Sequence, residues 1–174
     1  MFNGFGAAKI RAKLSGKPII MFTCRPLGPN DSQEYRNLRL RSLQEYPEQF
    51  GSNFEEQLKL PKLFFQRVIE SDQQKGMMIG CFHQGQMCGL LGCVVLDKHL
   101  GEIVQMYVTP EVQNQGLGTQ LFQTLLDHVD TYSIKTLILE VVPSNAPAIQ
   151  LYEKLGFSQL PSSRPGLLMQ FDIK

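Results

Sequence analysis

The stretch Gly101–Thr131 constrains the fold more than any other part of the chain. It begins with an apolar run, Ile103–Val108, that is typical of a strand. Thr109 and Pro110 turn the chain, and the glycine-bearing segment Gln113–Gly118 leads into leucines at helical spacing. A strand, a glycine turn and a helix in this order place the unpaired N–H groups of a helix start beside the end of a strand. The stretch therefore predicts an anion site at the start of the helix.

The two glycines of this turn, Gly116 and Gly118, have two explanations. They could keep side chains away from a bound phosphate, or they could allow close packing of the helix. A dinucleotide fingerprint needs a third glycine where Leu121 stands, and no GxxxxGK[ST] phosphate loop is present. From the turn alone, both explanations stay open.

Length and composition indicate one ordinary globular domain. The 174 residues are 43% hydrophobic and 19% charged, and the net charge is +1. This charge gives no general argument for binding nucleic acid or a membrane surface, and no apolar run is long enough to cross a bilayer. We therefore expect neither nucleic acid nor membrane as a partner. Residues 1–17 are basic and lack the apolar centre of a signal peptide, so we expect a flexible leader, a domain over residues 18–174 and a cytoplasmic location.

Cysteine usage agrees with a reducing compartment. The four cysteines, Cys24, Cys81, Cys88 and Cys93, form no CxxC pair, and the last three lie in strand-like segments. Such residues are typical of buried free thiols. Because no His/Cys/Asp cluster has the spacing of metal ligands, we expect no metal.

The rest of the chain alternates strand-like and helix-like segments. Predicted strands cover Ile19–Arg25, Gly76–His83, Met87–Leu96, Ile103–Val108, Thr136–Val142, Phe157–Leu160 and Leu167–Ile173. Predicted helices cover Ser32–Glu45, Phe54–Leu60, Lys62–Ser71, the segment from the glycine turn to about Tyr132, and Ala146–Leu155. A meander followed by strand–helix–strand–helix–strand predicts an α/β (α+β) fold, a single mixed sheet with helices on both faces. Ligands of such sheets bind at the carboxyl ends of parallel strands, which is where the glycine turn lies.

Two motifs resemble those of one known family. The run Val108-Thr109-Pro110-x-x-Gln113-x-x-Gly116-Leu117-Gly118 resembles the acyl-CoA signature of the GNAT superfamily of acetyl-CoA-dependent N-acetyltransferases. The run 145–157, NAPAIQLYEKLGF, is similar to that superfamily's N-x-x-A-x-x-L-Y-E-K-x-G-F motif at every specified position. The two lie in the family's order within Glu102–Phe157, and the similarity in element order extends to the end of the chain. The resemblance implies a mostly antiparallel sheet of about six or seven strands with a splayed central parallel pair.

The resemblance also implies acetyl-CoA as cosubstrate and a set of residues that bind it. The pyrophosphate would lie against the backbone N–H groups of Gln113, Asn114, Gln115, Gly116, Leu117, Gly118 and Thr119. The pantetheine arm would pair with the strand edge at Met106, Tyr107 and Val108, and the Val108 N–H would polarise the thioester carbonyl. Asn145 would cap a helix and hydrogen-bond the same arm.

Two side chains are implied as proton carriers. Glu102, at the head of the central strand, would take the proton of the attacking amine, directly or through water. Tyr152 would protonate the CoA thiolate, since a phenol donates a proton at neutral pH. Each has a plainer interpretation, a paired strand-end carboxylate for Glu102 and a packing tyrosine for Tyr152.

The acceptor is the least constrained part of the prediction. It would lie near Tyr35–Phe50, Tyr107 and the loop 161–166, and it would be a primary amine of a small molecule or a protein. Arg39 and Arg41 could hold an acidic acceptor, or they could be solvated residues on a helix surface. The alternatives are a non-catalytic acyl-CoA-binding regulatory module on the same fold and a nucleotide-dependent oxidoreductase, which the missing third glycine disfavours. A homodimer is a further expected form.

Overall fold

A computed structural model describes residues 21–71 and 73–174 of the chain, and its strands build one seven-stranded sheet. The strands are β1 (Thr23–Pro26), β2 (Gly76–His83), β3 (Gln86–Asp97), β4 (Leu100–Val108), β5 (Thr136–Val141), β6 (Ser158–Leu160) and β7 (Leu167–Asp172). They lie side by side in the order β1-β2-β3-β4-β5-β7-β6. The pair β4–β5 is parallel, and the other neighbouring pairs are antiparallel.

Five α-helices lie within the described residues. They are α1 (Ser32–Glu45), α2 (Phe54–Lys59), α3 (Phe64–Ser71), α4 (Leu117–Leu126) and α5 (Ala146–Leu155). Asn53 begins α2 by accepting a hydrogen bond from the Glu56 N–H, and Asn145 begins α5 in the same way from the Ala148 N–H. Gly156 ends α5 in the left-handed conformation that glycine adopts without strain.

The two faces of the sheet carry separate apolar cores. One core packs α4 and α5 against the sheet, with Leu121 and Leu125 one helical turn apart and fully buried. Burial of each such leucine stabilises the fold by about 2 kcal/mol. The other core packs α1 and α3 against the opposite face through Tyr35 and Phe65. The sheet is thus a central layer between two helical layers, which confirms the predicted fold class.

Most predicted elements are confirmed, with shifts at their ends. The prediction for α4 was too long, because the helix ends at Leu126 and a separate 3-10 turn forms at Val129–Tyr132. The predicted helix from Lys62 begins only at Phe64, two residues farther from Pro61. The first strand begins at Thr23; the predicted leader and the first residues of that predicted strand lie outside the described residues.

No helix within residues 21–71 and 73–174 combines the length and the apolar character that a membrane span requires.

Candidate active site

The two parallel strands of the sheet diverge and open a cleft. The last paired residues of β4 and β5 are Ile103 and Leu139, although β4 continues to Val108. Within the part of the chain that the structure describes, no strand therefore pairs with the β5 side of β4 at residues 104–108. A free strand edge of this kind can pair with an extended ligand as an added strand would.

A bulge in β4 accompanies the divergence. Tyr107 pairs with Leu90 and Val104 with Gly92, so that two residues of β4 oppose one residue of β3. One of the two, Gln105, has φ +56°, and its side-chain oxygen accepts a hydrogen bond of 2.8 Å from the Tyr35 hydroxyl. Because a bulge bends a strand and increases its twist, this anchored bulge explains why the end of β4 turns away from β5.

The predicted binding residues lie together around the resulting cleft, which has a volume of about 390 Å³. Its lining contains Met106, Tyr107, Val108, Gln113, Asn114, Gly116, Leu117, Gly118, Thr119, Asn145 and Tyr152. Two predicted site residues are not in the lining: Gln115 is exposed in the glycine turn, and Glu102 lies farther back along β4. Residues that the sequence did not single out complete the walls, among them Val112, Pro147, Ala148 and Leu151.

The two glycines of the turn have different structural reasons. Gly116 is the N-cap of α4 at φ +82°, a conformation that residues with side chains rarely adopt. A Cβ atom at Gly118 would stand 2.8 Å from Leu151 and 3.0 Å from Met106, both in the cleft wall. The missing side chain at Gly118 thus leaves room for the cleft, and the first turn of α4 directs free N–H groups toward it.

Tyr152 lies at the floor of the cleft. It is 7% exposed, and its hydroxyl is 3.3 Å from the Met106 sulfur. Burial raises the pKa of Tyr152, because the phenolate would lose its hydration. The side chain therefore stays protonated and is able to donate a proton at neutral pH.

The opposite wall consists of the segment after α1, with Tyr46, Gln49 and Phe50. Two hydrogen bonds cross the cleft to it. The Asn145 amide donates to the Gln49 oxygen at 3.1 Å, and the Gln113 amide lies 3.4 Å from the Tyr46 hydroxyl. Gln113 and Asn145, both predicted to bind the ligand, thus contact the wall that is expected to face the acceptor.

A hydrogen bond and an ion pair link the end of α1 to residues beside the cleft. The Tyr107 hydroxyl donates to the Glu45 carboxylate, which also pairs with Arg41 at 2.7 Å. Arg41 makes a second ion pair of 2.6 Å with Glu111, in the turn that precedes the glycines. Burial, followed by the bond to Glu45, raises the pKa of Tyr107. Arg41 is therefore engaged within the chain and is not a freely solvated residue.

Arg39 contradicts the interpretation as a solvated helix residue. It is 3% exposed, and its guanidinium lies 4.6 Å from the centre of the Phe50 ring. Burial lowers the pKa of Arg39 to about 10. Its Nε atom is buried and has no hydrogen-bond partner among the described residues. The aromatic face of Phe50 accounts for part of its accommodation, because a ring attracts a cation.

Two carboxylates share one arginine beside the parallel strand pair. Arg164, in the loop before β7, lies 3.4 Å from both Glu102 on β4 and Glu140 on β5. Glu140 also accepts a hydrogen bond of 2.9 Å from the Gly166 N–H. Glu140 was not predicted as a site residue. In the sequence it is only one polar position in a strand, and its place beside Glu102 depends on the register of the two strands. Since Glu102 pairs with Ile138, Glu140 lies two residues, or about 7 Å, nearer the divergence.

Comparisons with known proteins agree with this arrangement. A family model described as acetyltransferase (GNAT) family matches residues 36–157. The ribosomal protein bS18-alanine N-acetyltransferase of Salmonella typhimurium is 46% identical over 66 residues, covering 38% of this chain and 43% of that protein. The mycothiol acetyltransferase of Mycobacteroides abscessus is 29% identical over 138 residues, covering 76% of this chain and 44% of that protein. The chain thus spans less than half the length of these curated relatives.

Solved structures share the fold at low sequence identity. The PaiA N-acetyltransferase of Thermoplasma acidophilum, in complex with coenzyme A, gives a TM-score of 0.73 at 17% identity, covering 88% of this chain and 100% of that one. The ribosomal-protein-S18-alanine N-acetyltransferase of Escherichia coli gives 0.64 at 24% identity, covering 88% and 94%. Because the family model covers more than half of the chain and the sheet has the same architecture, the chain belongs to the GNAT family of acetyltransferases.

Proposed function

We propose that the protein transfers an acetyl group from acetyl-CoA to a primary amine. The observation that carries this proposal is the cleft itself. The free edge of β4, the N-terminus of α4 and the Tyr152 hydroxyl all meet in it. An anion site, a backbone edge and a proton donor around one cleft are the groups that this reaction requires.

The residues fit coenzyme A as the ligand. The first turn of α4, Leu117–Gln120, carries neither Asp nor Glu, so no carboxylate there opposes a pyrophosphate. The edge at Met106–Val108 offers backbone groups to the pantetheine arm, and the Val108 N–H is the proposed donor to the thioester carbonyl. The proposed donor to the leaving thiolate is Tyr152. In the transfer, the thioester C–S bond breaks, a C–N bond forms, the sulfur receives a proton, and the amine nitrogen loses one.

The amine proton requires a base, and two carboxylates are candidates. Glu102 has the strand position that the resemblance implies. Glu140 carries a second carboxylate beside it and nearer the cleft. We propose that the proton passes to this pair, directly or through water, and that Glu140 is the nearer acceptor.

The acceptor is proposed only as a class. One relative is a protein-alanine N-acetyltransferase and another a mycothiol acetyltransferase, so both protein amines and small molecules are represented among similar proteins. The proposed location is the cytoplasm.

Ligand binding and turnover test the proposal separately. Coenzyme A at a hundredfold excess over its dissociation constant should raise the unfolding temperature by about 5–10 °C, and NAD should not. Acetyl-CoA should then release free thiol with at least one member of an amine panel that includes a peptide with N-terminal alanine, a lysine peptide and small amines. Stabilisation by coenzyme A without thiol release would favour the regulatory module. If neither ligand nor reaction is detected, the proposed function is wrong.

Replacement of the carboxylates should separate their roles. We expect Glu140→Gln to lower kcat/KM by about 10²-fold, because an amide cannot take the proton, and Glu102→Gln to have a smaller effect. Steady-state rates with saturating acetyl-CoA measure both, and Glu153→Gln on the exposed side of α5 is the matched control. Unchanged kcat/KM in both variants would mean that the proton leaves to water alone.

Arg164 should compete with the acceptor. It holds both carboxylates, although its side chain is 45% exposed and both contacts are long. An approaching ammonium group is attracted to the same oxygens, so we expect Arg164→Gln to lower the KM for the amine several-fold and to leave the KM for acetyl-CoA unchanged. A raised amine KM would instead mean that Arg164 binds the acceptor.

A further inference from the structure

Two cysteines face each other at the edge of the sheet, outside the lining of the cleft. Cys24 on β1 is the direct cross-strand partner of Cys81 on β2. Their sulfur atoms are 2.6 Å apart, closer than two non-bonded sulfur atoms ordinarily stand, and both residues are free thiols. Neither belongs to the proposed acetyl-transfer machinery.

The geometry of this pair suits a covalent bond. Directly opposed residues of antiparallel strands have Cα atoms about 4.5–5.5 Å apart, which lies within the range that disulfides span. Both side chains already point toward each other on the face of the sheet that α4 covers. Formation of a bond therefore needs only small side-chain rotations, and the backbone register stays as it is.

We propose that Cys24 and Cys81 form a redox-active pair that closes to a disulfide when the protein meets a low-molecular-weight disulfide such as oxidised glutathione. The Cys24 thiolate attacks one sulfur of the oxidant and releases one thiol. Cys81 then loses its proton, attacks the Cys24 sulfur of the mixed disulfide and releases the second thiol. In sum, two protein thiols are oxidised and one small disulfide is reduced to two thiols.

The environments of the two sulfurs assign their order of reaction. Cys24 is partly exposed, and its hydrogen bond with Cys81 lowers the pKa of Cys24. Cys81 is fully buried, and that bond together with burial raises its pKa. Cys24 is therefore the accessible nucleophile, and Cys81 is the thiol that resolves the mixed disulfide. Nearby Cys88 is less reactive, because burial raises its pKa to about 12.

A bond between these residues would tie down the half of the molecule that faces the acceptor. Residues 24 and 81 are 57 positions apart, and the loop between them contains α1, α2, α3 and the cleft wall at Tyr46–Phe50. Closing a long loop stabilises the folded state mainly by restricting the unfolded chain. Disulfides of cytosolic proteins are usually transient and redox-sensing, so a reversible pair agrees with the proposed cytoplasmic location.

Oxidation of the full chain tests the pair directly. The reduced protein is incubated with oxidised glutathione, the remaining thiols are alkylated after denaturation, and the products are mapped by peptide mass spectrometry. We expect a Cys24–Cys81 disulfide, the loss of two alkylatable thiols and an unfolding temperature several degrees above that of the reduced protein. Dithiothreitol should reverse all three changes. This readout does not depend on acetyl transfer, so a negative result here would leave the proposed function untouched, and the reverse also holds.

Variants keep the test decisive. Cys24→Ser alters the partly exposed member and should abolish the disulfide and the thermal shift, whereas Cys93→Ala, elsewhere on β3, should retain both. Cys81→Ala removes the buried member of the pair. Without the resolving thiol, the reaction should stop at a stable glutathione adduct on Cys24. A disulfide mapped to Cys81–Cys88, or four alkylatable thiols after oxidation of the native chain, would overturn the proposal.

Discussion

Tyr152→Phe should lower kcat by about 10²-fold or more while the dissociation constant of coenzyme A changes less than twofold. The substitution removes one oxygen at the floor of the cleft, and this oxygen contacts the Met106 sulfur at 3.3 Å. Loss of a positioned general acid costs about 10² to 10⁴ in rate. Ring packing against Phe157 is retained, because phenylalanine keeps the same aromatic surface. Stopped assays of thiol release and calorimetric titration with coenzyme A measure the two quantities.

The pH dependence of the native enzyme supplies a second test of Tyr152. Because burial raises the pKa of this phenol above the ordinary value of 10.0, Tyr152 stays protonated in the folded enzyme where a solvated tyrosine would ionise. We therefore expect no loss of kcat from its ionisation between pH 7 and about pH 10. The sign also concerns stability: an unfolded tyrosine ionises first as pH rises, so the raised pKa destabilises the fold only above about pH 10.

A matched control separates acid catalysis from the loss of a buried hydroxyl. Tyr132 lies outside the cleft, and its hydroxyl donates to the Gly76 carbonyl at 2.9 Å. Tyr132→Phe should reduce the free energy of unfolding by about 1 kcal/mol and leave kcat unchanged. If Tyr152→Phe behaves in the same way, Tyr152 is a packing residue, and the thiolate takes its proton from water.

The sequence predicted those parts of the fold whose signals are local. The β-branched and leucine-rich run of β5 and the helix Ser32–Glu45 appear where the pattern placed them. The cap at Asn145 and the stop at Gly156 follow from the preferences of single residues. The glycine turn and Tyr152 line one cleft, as expected from two motifs that follow each other along the chain in the order typical of the family.

The parts that were not predicted depend on register and on distant contacts. Nothing local marks Gln105 as a bulge, because its positive φ is sustained by β3 and by the Tyr35 hydroxyl. Glu140 becomes a neighbour of Glu102 only through the parallel pairing of β4 and β5. Of the two interpretations of Arg39, the solvated one is wrong: the side chain is buried, unlike most arginines, and the Phe50 ring lies against its guanidinium.

Gly118→Val should weaken coenzyme A binding more than any other change to the glycine turn. The Cβ position alone already lies 2.8 Å from Leu151 and 3.0 Å from Met106, so the valine methyl groups must displace both cleft-lining side chains. These are flexible side-chain ends, which can move without unfolding the protein. The valine and the displaced side chains should therefore occupy part of the cleft. We expect the dissociation constant of coenzyme A to rise at least about 10²-fold, or roughly 2.7 kcal/mol, in a calorimetric titration.

Gly116 should respond differently, because a side chain there has open space around it and only the backbone conformation is strained. No atom of the described residues would lie within 4 Å of a Cβ at this position, but φ is +82°. Gly116→Ala should therefore cost about 1–2 kcal/mol in unfolding free energy and weaken coenzyme A binding only as far as the first turn of α4 shifts. Gly28→Val is the control for both, since Gly28 has φ −119°, has open surroundings and is not part of the cleft lining. If Gly118→Val binds coenzyme A as tightly as Gly28→Val does, the cleft beside Leu151 and Met106 is not where the ligand lies, because a side chain filling it would otherwise exclude the ligand.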